Sequence, residues 1–224
     1  MHKIHNNWKK EWGGGSATKG ISLVLKRHLQ NNYKLYIALL MVLLAGISAG
    51  VFTVNGLSVS QKDELSNYFK GFLNLFTNQK IDNAELFTIA FIENFKIVVV
   101  LWLSGVAIIG IPIIFAIIMI KGFITGFSLG LILQAIGSKG VLFNLLALIP
   151  KELIITPCML ALGVIGINFS LSIIKAKSVK PFPAKSLRTD FLAYCVATLF
   201  FSGIIFVGVL VEAYVTPVAI RMMF

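Results

Sequence analysis

Charged residues are scarce in this sequence. Asp, Glu, Lys and Arg together make up 13% of its 224 residues, whereas a soluble globular protein has roughly a quarter. Apolar residues reach 57%, and several apolar runs reach the ~20 residues that a helix needs to cross a bilayer. The composition excludes a soluble globular domain and predicts an all-α, polytopic membrane helix bundle.

Cysteine and histidine are also rare, which excludes several kinds of site. Cys158 and Cys195 both lie in apolar segments, so we predict that they are packing residues and that they form neither a disulfide framework nor a metal site. His28 is the only histidine beyond the first few residues. The sequence has no GxSxG, HExxH or Walker A pattern. We therefore expect a non-enzymatic protein with no catalytic residue, metal or cofactor.

Acidic residues are missing from two basic segments, and this asymmetry predicts the topology. The net charge of +11 is concentrated beside apolar runs, which indicates a membrane surface rather than a nucleic-acid partner. Residues 19–34 and 175–188 carry only cations, whereas residues 55–96 carry four Lys and five Asp or Glu. Cytoplasmic loops are enriched in Lys and Arg. We predict a multi-pass protein of the cell membrane with a cytoplasmic N-terminus and residues 55–96 outside.

The chain divides into a polar start and one integral membrane domain, residues 19–224. Residues 1–18 contain the linker-like "GGGS" and are predicted to be a disordered tail or a cloning remnant. Apolar runs predict five crossings, at about 35–54, 97–120, 122–136, 153–174 and 191–211. Pro112 is expected to kink the second crossing, and Lys121 to mark a cytoplasmic turn. Residues 141–149 are too few to cross, so we predict a short re-entrant or interfacial segment there.

The outer loop, residues 55–96, carries helical patterning. Ser60–Asp63 and Asp82–Glu85 fit capping boxes, so we predict two amphipathic helices. Apolar residues follow the first box at helical spacing. They are candidates for binding a protein partner outside the cell, and the alternative is that they lie on the bilayer surface. These residues are Leu65, Phe69, Phe72 and Phe76.

Two glycine patterns predict close helix packing. Gly46 and Gly50 have GxxxG spacing in the first crossing, and Gly122, Gly126 and Gly130 repeat that spacing in the third. Small residues so placed let two helix backbones approach closely. Packing within one chain is the favoured use, and contact with a second copy, giving a homo-oligomer, is the alternative.

Pro150, Lys151 and Glu152 interrupt a long apolar run and form a candidate polar site. An acid within the membrane suggests a proton relay or an ion site. The sequence favours another placement, in which Pro150 starts the fourth crossing and both charges lie at the outer interface. Proline and acids suit the first turn of a helix. Glu93 is expected to have a similar position at the outer end of the second crossing.

Three blocks of the chain resemble the stage II sporulation protein M family. They are "LYIALLMVLLAGISAGVFTVNGL", "ENFKIVVVLWLSGVAIIGIPIIFAIIMIKGFITGFSLG" and "LLALIPKELIITPCMLALGVIGINFSLSIIK". The resemblance implies a membrane scaffold at the sporulation septum. Such a scaffold anchors the peptidoglycan-degrading machine that drives forespore engulfment during endospore formation. The partners that it implies are stage II sporulation proteins P and D, which are wall hydrolases.

A small-solute permease, or the membrane subunit of an ABC-type exporter, is the alternative function. Charges in a broken segment and glycine-lined helices are features that a transporter uses. A scaffold should co-purify with wall hydrolases, whereas an exporter subunit should bind a separate ATPase at its cytoplasmic loops.

Overall fold

The computed structural model describes residues 29–78, 83–178 and 184–223, without the side chains of residues 75–78, 177–178, 184–187, 219 and 222–223. The predicted tail, residues 1–18, lies outside these ranges. The chain comprises two compact units, Met1–Ile37 and Ala38–Phe224. In the first unit, the described backbone turns at Asn32, and a long helix begins at Tyr33. The second unit contains the helix bundle.

All regular structure in the described residues is helical, which confirms the predicted fold class. The α-helices are α1 (Tyr33–Gly56), α2 (Val59–Asn78), α3 (Asn83–Val106), α4 (Gly110–Ile136), α5 (Ser138–Phe143), α6 (Ile149–Ser178) and α7 (Ala184–Met223). A π-helical turn, Asn144–Leu148, joins α5 to α6.

Five segments of the described chain are long and apolar enough to cross a membrane. They are Tyr33–Gly56, Asn83–Val106, Gly110–Ile136, Ser138–Ala176 and Arg188–Val218. The predicted number of crossings is therefore confirmed. The positions predicted for the second and third crossings are wrong, because α3 itself is a span and α4 runs through Lys121 without a break.

The break between α3 and α4 lies at residues 107–109, where a tight turn replaces the kink that was predicted at Pro112. A Cβ on Gly110 would lie 1.6 Å from the Ser104 carbonyl oxygen, so the turn requires glycine. The Ser170 hydroxyl on α6 donates a hydrogen bond to the Ala107 carbonyl at 3.0 Å. Pro112 is the third residue of α4, within the first turn, where proline is tolerated because no helical N–H bond is lost.

Helix α2 confirms the predicted amphipathic helix, but its cap differs from the prediction. The Ser58 backbone N–H donates to the Gln61 side-chain oxygen at 3.0 Å, and the Gln61 N–H donates to the Ser58 hydroxyl at 3.4 Å. This reciprocal pair is a capping box, two residues before the predicted Ser60–Asp63. In the second predicted box, Asp82 lies outside the described residues.

The predicted re-entrant segment is not separate from the fourth crossing. Helix α5, the π-helical turn and α6 form one continuous helical path, and its window Ser138–Ala176 is 39 residues long. Pro150 is the second residue of α6, but it does not begin a new element after a loop. Lys151 and Glu152 therefore lie well inside a helix.

The core of the bundle lies around α6. Two thirds of the most apolar window of Ser138–Ala176 is buried (67%), against 22–28% for the other four spans. Ile155, Met159, Val164 and Ile167 are each at most 1% exposed. Helices α3, α4 and α7 pack against α6. The other spans leave apolar faces open, as expected of helices surrounded by lipid.

The two glycine patterns pack against each other. A Cβ on Gly46 would lie 2.3 Å from the Met119 carbonyl oxygen, and a Cβ on Gly50 would lie 2.3 Å from that of Phe123. From the other side, Cβ atoms on Gly122 and Gly126 would meet the carbonyl oxygens of α1 at 2.4 and 2.1 Å. The contact at Gly130 is less tight, because a Cβ built there would lie 3.3 Å from its nearest atoms, which belong to Val54. The backbones of α1 and α4 thus touch along several turns.

Surface labelling tests the orientation that the charge asymmetry predicts. In a variant without Cys158 and Cys195, a Tyr68→Cys change on α2 should react with an impermeant maleimide applied outside. A Lys175→Cys change at the basic end of α6 should react only after the membrane is permeabilised. Both positions are accessible in the structure, so labelling depends on the side of the membrane. The reverse pattern would invert the topology.

Candidate functional site

Helix α2 packs its apolar face onto the bundle. The Phe69 ring meets Phe143 edge to face with ring centroids 5.8 Å apart, and Leu73 is only 4% exposed in a cluster with Ile132 and Ile220. Leu65 is half-buried and Phe72 is 42% exposed. The side chain of Phe76 lies outside the described residues. Phe69 therefore packs inside the protein. Neither predicted contact of this residue, with a protein partner outside the cell or with the bilayer surface, corresponds to this placement.

The part of α2 outside its buried positions is polar and accessible. Tyr68 is 82% exposed, the largest exposed fraction among the bulky apolar and aromatic side chains of the described residues. Asp63, Glu64, Asn67 and Lys70 lie on the same helix, outside its buried positions. Because the buried face fixes α2 on the bundle, these side chains form a surface with a fixed orientation, which we call the Tyr68 surface.

Lys121 and Glu152 form an ion pair between α4 and α6. The Lys121 ammonium lies 2.9 Å from Glu152 Oε1, and the two side chains are 15% and 17% exposed. The Thr156 hydroxyl, one turn along α6, donates to Glu152 Oε2 at 2.7 Å. Both carboxylate oxygens thus have a donor, as a buried charge requires.

This ion pair corrects the predicted position of Glu152 at the outer interface. Lys121 lies 11 residues after Gly110 and 15 before Ile136, about 17 Å and ~23 Å from the two ends of α4 at 1.5 Å per residue. A charge so placed is near the middle of the span, and Glu152 is at the same depth because it contacts Lys121. The predicted position of Glu152 is wrong because Lys121 lies within α4 and not in the predicted loop.

Lys151 forms a second ion pair, with Glu212 on α7. These side chains are 19% and 22% exposed. Since Lys151 and Glu152 are neighbours on α6, the two pairs join α6 to helices on two sides, α7 and α4. The four charges sum to zero, which lowers the cost of placing them within apolar spans.

A cavity of about 320 Å³ lies beside the second ion pair. Helices α2, α3, α4 and α7 and the segment from α5 to α6 contribute to its wall. It lies at the end of the bundle where α3 begins and where α4 and α7 end. Its lining residues are Phe69, Phe72, Leu86, Ile89, Ala90, Glu93, Ser128, Leu131, Ile132, Phe143, Ala147, Leu148, Lys151, Glu212, Ala213, Thr216, Pro217 and Ile220.

The π-helical turn next to the cavity has unusual hydrogen bonding. The Asn144 amide donates to the Leu129 carbonyl on α4 at 3.2 Å, and Asn144 Oδ1 is buried without a partner among the described residues. The Thr216 hydroxyl on α7 donates to the Ala147 carbonyl at 3.2 Å. Thr216 thus supplies a bond where the regular helical pattern is interrupted, and Asn144 bonds the turn to α4. Turns of this kind often occur at functional sites.

Sequence reasoning missed three charged residues of this region: Lys121, Glu212 and Glu93, which has no ion-pair partner among the described residues. Each was assigned to the edge of a span. A signal was present, because three cations and three acids lie within runs that are otherwise apolar, and such charges usually pair with one another. In the described residues, no group of three His, Cys, Asp or Glu side chains is placed to hold a metal ion. Cys158 and Cys195 are free thiols.

The family of the chain follows from a comparison with known protein families. The family model described as stage II sporulation protein M matches residues 38–217, which includes all five spans except the first residues of α1 and the last residue of the fifth. The chain belongs to the stage II sporulation protein M family. No curated protein and no solved structure matches it. The two ion pairs and the Tyr68 surface lie within the matched residues, as does all of the cavity lining except Ile220.

Proposed function

We propose that this membrane protein of a sporulation family is a non-enzymatic anchor for the peptidoglycan-degrading machine of forespore engulfment. The observation that carries the proposal is the docked helix α2 in a chain of this family. Its apolar face is held by Phe69 and Leu73 on the bundle, while the Tyr68 surface remains accessible. A rigid surface loses little conformational entropy when a partner binds.

The orientation predicted from the charges has the Tyr68 surface outside, facing the wall. Membership of a sporulation family supports a location at the sporulation septum. Wall hydrolases work on that side of the membrane, and stage II sporulation proteins P and D are the partners that we propose. An exposed tyrosine among polar side chains is typical of the centre of a protein interface. Tyr68 is therefore the residue that we expect to contribute most to binding.

Co-purification from sporulating cells tests the proposal. Proteins P and D should be recovered with the chain, and Tyr68→Ala should reduce their recovery about tenfold or more, the effect expected at an interface hot spot. Tyr214→Ala is a matched control, because Tyr214 is also exposed (52%) but lies within a membrane span on α7. Equal recovery with both variants, or no hydrolase recovered with the unaltered chain, would refute the proposal.

A permease or exporter subunit is the second candidate, and the ion pairs within the spans favour it. Lys121–Glu152 lies near mid-span, and Lys151–Glu212 lies between that pair and the cavity. Charges in series are a feature of transport pathways. The same purification discriminates between the candidates, because an exporter subunit should be recovered with an ATPase and should keep it when Tyr68 is changed.

A further inference from the structure

The cavity at the α2 end is lined by one carboxylate that forms no ion pair in the described part of the chain. Three ionisable residues line it: Glu93, Lys151 and Glu212. Lys151 and Glu212 pair with each other, so they compensate one another. Glu93 has no ion-pair or hydrogen-bond partner among the described residues. It lies on α3, ten residues after Asn83, in a segment apolar enough to span the membrane.

An unpaired carboxylate in such a segment is unfavourable unless a positive charge lies close to it. Among the described residues that line the cavity, the only cation is Lys151, which is already paired with Glu212. Lys96, three residues after Glu93 on α3, is exposed, does not line the cavity and forms no ion pair among the described residues. The exposed Glu93, Phe72 and Ile89 all line the cavity, so a molecule can reach the cavity between α2 and α3. A cationic ligand can therefore supply Glu93 with a positive charge on the cavity side of α3.

The rest of the cavity defines the ligand more closely. Most of its lining is apolar, and it includes the aromatic rings of Phe69, Phe72 and Phe143. Aromatic rings attract organic cations through their faces, and apolar walls favour an apolar body over a hydrated metal ion. A volume of about 320 Å³ is at the lower end of the range for small-molecule sites.

We propose that this cavity binds a small organic cation, with its positive charge at Glu93 and its apolar part against the three phenylalanines. The Lys151–Glu212 pair forms the neighbouring polar wall and disfavours a fully apolar ligand. None of the residues that define the Tyr68 surface lines the cavity, so this site does not depend on whether hydrolases bind at that surface.

Benzyltrimethylammonium is a suitable probe, because neopentylbenzene has the same shape without the charge. Titration calorimetry on the full chain, purified in detergent, should show saturable binding of the cation and no saturable binding of the neutral analogue. Glu93→Gln should weaken binding by about tenfold or more, as expected for the loss of a charged contact. Glu85→Gln is the matched control, since Glu85 is exposed on the same helix but outside the cavity.

A second variant tests the cavity without changing its charge. Ile89→Trp should fill it and abolish binding, whereas Ile124→Trp, at an exposed position on α4, should not affect it. The proposal is overturned if the cation fails to bind. It is also overturned if cation and neutral analogue bind equally, or if Glu93→Gln behaves like Glu85→Gln. Failure of this test together with normal hydrolase recovery would leave the proposed anchor function standing and remove the ligand site alone.

Discussion

Gly126→Leu is expected to prevent the chain from accumulating as a folded bundle. A Cβ at this position would lie 2.1 Å from the Ile47 carbonyl oxygen and 2.7 Å from the Ile47 carbonyl carbon and Cα. These are backbone atoms, so no side chain can rotate away. Helices α1 and α4 would have to separate, and the contacts at Gly46, Gly50 and Gly122 would be lost together. We expect a cost at or above about 3 kcal/mol, the upper end for overpacking, a large part of a typical stability.

Gly203→Leu is the matched control for this change. Gly203 also lies within a membrane-spanning helix, α7, but no described atom lies within 4 Å of a Cβ built there. The same substitution should therefore leave the amount of monodisperse protein extracted from membranes, and its melting temperature, close to those of the unaltered chain. If Gly126→Leu behaves like Gly203→Leu, the close contact between α1 and α4 is not required for folding.

The features that the sequence predicted well are local ones. The number of crossings follows from the lengths of apolar runs, and α2 follows from the helical spacing of Leu65, Phe69 and Phe72. The glycine spacing in α1 and in α4 predicted close packing, but it did not indicate that the two patterns face each other. A GxxxG motif shows that a backbone will be approached, whereas the identity of the approaching helix depends on the whole bundle.

The error at the boundary between the second and third crossings has one physical origin. The positive-inside rule treats a lysine beside an apolar run as a loop residue in water. Lys121 instead has its counter-ion, Glu152, 31 residues further along the chain. Once the lysine is paired, α4 can continue through it, and the true turn falls at residues 107–109, which carry no charge. Only the three-dimensional pairing distinguishes a lysine in a loop from a lysine that is paired within a span.

The candidate site depends on contacts between distant parts of the sequence even more than the span boundaries do. The cavity needs α2, α3, α4, α7 and the segment from α5 to α6 together, and no single stretch of sequence contains more than a part of it. Pro150, Lys151 and Glu152 were correctly selected as unusual. Their partners Glu212 and Lys121 come from other helices, so the roles of Lys151 and Glu152 could not be read from their own surroundings.

Glu152→Gln is expected to destabilise the protein strongly. The change would leave Lys121 15% exposed near the middle of a span without a counter-charge. Removing one member of a buried ion pair typically costs about 3–5 kcal/mol, because the other charge stays desolvated. For a chain of this size, ~3 kcal/mol corresponds to a fall in melting temperature of about 6–12 °C.

A compensating double substitution separates loss of pairing from general disruption. Lys121→Met together with Glu152→Gln removes both charges while keeping the side-chain volumes similar, and the amide oxygen at position 152 still accepts the Thr156 hydrogen bond. Replacing a whole buried pair is often close to neutral. We therefore expect the melting temperature of the double variant to return most of the way to that of the unaltered protein.

Thermal melts of the purified chain in detergent provide the measurement, with Glu85→Gln as the control for loss of an exposed acid. If Glu152 lay in water at the outer interface, Glu152→Gln would cost no more than Glu85→Gln, because solvent screens exposed ion pairs to about 1 kcal/mol or less. If Glu152→Gln lowers the melting temperature strongly and the double variant restores it, the ion pair between α4 and α6 must be desolvated. If Glu152→Gln and Glu85→Gln have the same melting temperature, the mid-span position of Lys121 and Glu152 is wrong, and the interfacial placement favoured by the sequence is right.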